Sequence, residues 1–86
     1  MTQQRKPIGW YVAEMVVNTT AVPEGDTILD WPDNVQDAIY GAIEKHEKRL
    51  GRKYEIVRAR ADKDIDTGPY IHVVIRSPKY KEDTIH

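Results

Sequence analysis

Arg58 and Arg60 fall at every second position of one apolar run, residues 54–61, which opens with Tyr54. Tyr70, His72 and Arg76 do the same in a second run, residues 70–77. Alternate side chains of an extended chain share a face. The parity therefore predicts one surface carrying Tyr54, Arg58, Arg60, Tyr70, His72 and Arg76, with Ile56 and Val74 as its apolar floor. Aromatic rings stack on flat groups, guanidinium groups pair with phosphate or carboxylate, and imidazole adds a hydrogen bond. The chemistry expected of these six residues is binding of a planar anionic ligand. The opposite parity is plain core: Val57, Ala59 and Ala61 with Ile71, Val73 and Ile75.

Two other uses of the same surface compete with a small ligand. Tyr and Arg are also enriched where subunits meet. Aromatic and basic groups on a sheet also stack the bases of single-stranded nucleic acid, and the tract from Lys45 to Arg60 is rich in cations. Against nucleic acid, Glu44 adjoins that tract, Glu47 and Glu55 interrupt it, and the net charge is −1. No RNP motif is present either. A protein- or nucleic-acid-binding module is thus the alternative reading, with nucleic acid disfavoured.

Catalytic and metal chemistry find little material. Asp62, Asp64 and Asp66 alternate as in a calcium loop, but the glycine an EF-hand needs at the sixth position falls at the seventh, Gly68, and Val73 stands at the twelfth in place of a bidentate Glu. A polar turn explains them better. His46, His72 and His86 are too scattered for a metal site. Ser77 is the single serine and cysteine is absent, so serine or cysteine nucleophile schemes have little material. No glycine loop for phosphate is present. The chain is read as non-enzymatic.

The elements that must position the surface follow from local patterns. Residues 9–18 are β-branched and aromatic and predict a first strand, with Tyr11, Ala13, Met15 and Val17 on one face and Trp10, Val12, Glu14 and Val16 on the other. Both faces are largely apolar, so both are expected to be covered. Residues 19–29 contain Pro23, Glu24, Gly25 and Asp26 and predict a surface loop. Asp30 is expected to cap a helix whose first turn holds Pro32 and Asp33. Val35, Ala38, Ile39, Ala42, Ile43, His46 and Leu50 recur at helical spacing, and Gly51 is placed to end the helix. A hairpin follows, with residues 62–69 as its loop.

The order is β-α-β-β: an α+β domain spanning residues 8–78, a three-stranded antiparallel sheet packed on one helix. Residues 1–7 and 79–86 are expected to be flexible tails. With 86 residues and no cysteine, the chain has a small core and no disulfide to reinforce it. One helix covers one sheet face. The apolar groups left on the other face exceed what a monomer usually exposes. Trp10, Val12, Ile56 and Val74 are therefore expected at a homo-oligomer interface. No run is long enough to span a membrane. Pro7, Gly9 and Glu14 break what would be the apolar part of a signal peptide after Arg5 and Lys6, so a cytoplasmic protein without membrane partners is expected.

The helix opening Asp30-Trp31-Pro32-Asp33-Asn34-Val35-Gln36-Asp37-Ala38-Ile39, followed by the runs at 54–60 and 70–75, resembles the dodecins. These are small flavin-binding proteins of β-α-β-β order whose curved sheet half-wraps one helix. The resemblance covers about residues 30–77. It implies a spherical twelve-subunit assembly and a flavin ligand. It also implies that Tyr54 stands near the family's flavin-stacking aromatic, and that His72 is the polar residue nearest its flavin-bonding glutamine.

Overall fold

The computed structural model describes residues 6–81. They form β1 (Gly9–Asn18), α1 (Asp33–Leu50), β2 (Glu55–Asp64) and β3 (Gly68–Lys79), with a short 3-10 turn at Ile28–Asp30 before the helix. The sheet is antiparallel in the order β1-β3-β2, so the last strand is central and the first two are its edges. This is the expected α+β architecture, one helix on a three-stranded antiparallel sheet.

The core lies between α1 and the inner sheet face. Val35, Ile39 and Ile43 of the helix pack with Ile71, Val73 and Ile75 of β3, and Trp31 closes one end. Ile39, Ile71, Val73 and Ile75 are 0 % exposed. Ala13, Met15 and Val17 of β1 and Ile56, Ala59 and Ala61 of β2 flank them, half-buried. Of the predicted helical stripe, Ala38 and Leu50 are exposed. Ala38 lies at the stripe's margin, whereas Leu50 lies on the stripe but is the last residue of the helix, past its buried part.

The helix start differs from the expected one. Asp30 belongs to the 3-10 turn, and Pro32 occupies the capping position without a side-chain bond to the helix. Gln36 instead donates from Nε2 to the Trp31 carbonyl at 2.9 Å, tying the chain ahead of the helix to its first turn. Trp31 is buried, and its indole N–H donates to the Gly25 carbonyl at 2.9 Å. Gly25 has φ +107°, and a Cβ there would lie 2.5 Å from the Asp30 Cβ. Glycine is therefore what lets the loop fold close enough to hold Trp31. The helix ends as expected, with Gly51 in the left-handed region at φ 70° and its N–H bonded to the Glu47 carbonyl.

The hairpin loop is shorter than expected. Asp62 and Asp64 belong to β2, Gly68 and Pro69 to β3, and residues 65–67 alone make the turn. Asp64 is the reason: its carboxylate accepts from the N–H groups of Asp66 at 2.8 Å and Thr67 at 3.2 Å. Gly68, at φ 83°, completes the reversal. At the far end β3 continues through Lys79, two residues beyond the predicted strand. Of the predicted tails, residues 1–5 and 82–86, with His86, lie outside the described residues.

Candidate functional site

The face of the sheet turned away from α1 has no second layer among the described residues. The register arranges it in rows. Trp10 lies opposite Pro78, and Val12 opposite Arg76, which also faces Glu55. Glu14 lies opposite Val74, which also faces Arg58. Val16 lies opposite His72, which also faces Arg60, and Asn18 opposite Tyr70, which also faces Asp62. Val12 and Val16 are 64 % and 60 % exposed, so the β1 side of this face is apolar and open.

The six predicted ligand residues do not share one face. Arg58, Arg60, Tyr70, His72 and Arg76 lie on the outer face as expected. Tyr54 does not, and neither does Ile56 from the predicted interface set. The cause is a bulge in β2: Ile56 pairs with Ile75 and Arg58 with Val74, leaving Val57 without a partner. One extra residue inverts the alternation on its N-terminal side. Ile56 and Tyr54 therefore pack against the helix-side core, while Val57, predicted as core, is exposed. The Tyr54 backbone N–H donates to Glu47 Oε2 at 2.8 Å, and its ring meets His46 edge-on at 4.9 Å. His46, part of the predicted helical stripe, is half-buried. Its Nδ1 faces Arg49 Nη2 at 3.0 Å, and its Nε2 is buried without a hydrogen-bond partner.

The five remaining residues divide by their partners. Arg76 is engaged twice: Nε donates to Glu55 Oε1 at 2.8 Å, and its guanidinium lies 3.8 Å from the centre of the Trp10 ring. His72 Nε2 lies 3.1 Å from Glu14 Oε1. Arg58 and Arg60 have no acidic partner among the described residues. Glu14 and Val16, which the spacing put on this face without a role, and Glu55, which its parity put on the other, thus belong to the site. Cross-strand pairing reveals them, and pairing is set by register.

Around Arg60 and His72 the face dips into an open concavity of about 630 Å³, which Val16, Tyr70, Asp62 and Asp64 also line. Its chemistry is an aromatic ring and a valine beside an imidazole and an unpaired guanidinium, with carboxylates at the hairpin end. A larger concavity of about 810 Å³ lies on the other side, between the C-terminal half of α1 and the start of β2. It includes Tyr54 and Ile56, and its rim alternates Glu44, Glu47 and Glu55 with Lys48, Arg52 and Lys53. Both concavities thus carry charges of both signs; what sets the smaller one apart is His72 and Arg60 side by side on the open sheet face.

Among the described residues, no helix is long and apolar enough to cross a membrane. No known family model, curated protein or solved structure matches the chain.

Proposed function

We propose that this chain is a small, self-assembling, non-enzymatic protein whose outer sheet face takes a planar anionic ligand, of the flavin class, where copies meet. The observation that carries the reading is Arg60: an arginine without an acidic partner among the described residues, directly across the ladder from His72, on a floor formed by Val16 and Tyr70. Tyr70 supplies the stacking ring, His72 a hydrogen bond, and Arg60 with Arg58 the positive charge. Tyr54 drops out of this role because it faces the helix. Trp10, Val12 and Val74 remain as apolar contacts between copies on the open face. The dodecin-like arrangement is part of the same proposal, supported by the β-α-β-β order.

Titration with flavin mononucleotide tests the ligand. Quenching of flavin fluorescence is expected. Stacking of an aromatic side chain on a base is worth about 1–3 kcal/mol, so Tyr70→Ala should weaken binding about fivefold or more. Arg60→Ala should weaken it as well, while Tyr54→Ala leaves it unchanged. No quenching with the wild-type protein removes the ligand, and a monomer by light scattering at micromolar concentration removes the assembly.

A further inference from the structure

Among the described residues the sheet has two free edges, and they are built differently. Along β2, charged residues crowd the edge at Glu55, Arg58, Arg60 and Lys63, and the Val57 bulge interrupts its regular spacing. Charges and bulges are the devices that stop an edge from pairing with another chain. Along β1, ten residues run Gly-Trp-Tyr-Val-Ala-Glu-Met-Val-Val-Asn, with one charge, no proline and no bulge. A long, regular, apolar edge of this kind is a template for a further strand.

The backbone groups available on that edge can be named. Thr19 N–H donates to the Pro69 carbonyl just past the end of β1, in continuation of the ladder register. In an antiparallel pair hydrogen-bonded positions alternate, so odd-numbered residues of β1 face β3. The N–H and C=O groups of Trp10, Val12, Glu14 and Val16 point to the open side. No backbone hydrogen bond among the described residues reaches them there.

We propose that the β1 edge pairs antiparallel with β1 of a second copy across a two-fold axis, joining two sheets into one. This concerns the edge of the sheet and is independent of the ligand proposed for its outer face. A two-fold pairing must put even residues opposite even residues, which leaves two registers that overlap most of the strand. In one, Glu14 faces Glu14 of the other copy, and like charges directly opposite are destabilising. In the other, the axis passes between the two Ala13 residues. Trp10 then faces Val16, and Val12 faces Glu14, so the open backbone groups are satisfied without that clash. The small Ala13 side chain also fits the axis, where two inner faces meet. We assign the second register. The occupant is a second copy because the strand is complementary to itself in this register.

The chain has no cysteine, so one introduced thiol reports the register. Under mild oxidation Ala13→Cys should give a disulfide-linked dimer on a non-reducing gel, because the two positions sit opposite each other. Ile65→Cys, at the exposed hairpin tip, measures random collision and should link much less. Val12→Pro removes an N–H on the open side and none facing β3. It should abolish the dimer in light scattering while circular dichroism stays that of the wild type, whereas Val12→Ala, which loses the same outer-face side chain but keeps the N–H, should leave the dimer. If Val12→Pro fails to fold, the disulfide result stands alone. A monomeric wild type overturns the proposal. So does an oligomer in which Ala13→Cys links no faster than Ile65→Cys, although outer-face assembly would survive that result. Preferential linking through Glu14→Cys overturns the assigned register.

Discussion

β3 is one strand with two unlike faces. Ile71, Val73 and Ile75 are fully buried under α1, whereas Tyr70, His72, Val74 and Arg76, each one residue away, are half-buried on the open side. The inner face is apolar but for the buried Ser77 and is closed by a helix. The outer face mixes an aromatic ring, an imidazole, a guanidinium and valines, and nothing among the described residues lies over it. The inner face holds the fold together, and the outer face is what the fold has to offer a partner. A small domain with one helix can finish only one of its sheet faces.

The comparison is broken most directly by matched truncations. Ile39→Ala removes a fully buried side chain from the inner layer and should cost about 2–5 kcal/mol of stability. Val16→Ala, on the outer face, should change it by no more than about 0.5 kcal/mol in a monomer. Urea unfolding of both variants reads the difference. A loss at Val16 that approaches the loss at Ile39 would mean that the outer face is covered in solution, and its dependence on protein concentration would identify a second copy as the cover.

A smaller effect is expected where the loop anchors the inner layer. Gly25→Ala forces a side chain into a left-handed conformation against Asp30 and disturbs the carbonyl that holds the Trp31 indole. A loss of about 1–3 kcal/mol is expected, read as a lower thermal midpoint. Flavin titration of this variant at a temperature where it is folded should match the wild type, since the outer face lies on the other side of the sheet.

The smallest effect belongs to the hairpin that joins β2 to β3. The backbone N–H of Asp66, then that of Thr67, donate to the Asp64 carboxylate and lower its pKa below the ordinary aspartate value. The folded protein thus favours the charged form. The stability this supplies is present above the unfolded-state pKa and is lost as pH falls through the folded one. Asp64→Asn removes the titration. The stability gap between wild type and Asp64→Asn should be widest near neutral pH and narrow in acid, as measured by denaturation at a series of pH values. A gap that stays constant would show that the charge on Asp64 contributes nothing.

Much of the fold is legible locally. β1 has the bounds that its β-branched run predicts, and β3 follows the alternation of Ile71, Val73 and Ile75 because a central strand in a regular ladder keeps period two. The helix end at Gly51 is equally local, since the left-handed cap depends on one residue. The composition of residues 62–69 predicts the hairpin turn but overstates its length, because Asp64 closes it through bonds that composition does not display.

What only the tertiary structure decided lies mainly in β2 and in the segment before the helix. Residues 54–61 alternate as cleanly as residues 70–77, yet the bulge at Val57 turns Tyr54 and Ile56 to the helix and Glu55 to the open face. A bulge is a property of two paired strands, so the period of one strand cannot display it. Trp31 reads as part of a helix start, but the Gly25 loop folds back to bury it in the core. The sequence by itself determined the elements and the two chemistries carried by β3. Pairing and packing determined which residues of β2 and the loop join each face, because those choices depend on contacts between segments far apart in the chain.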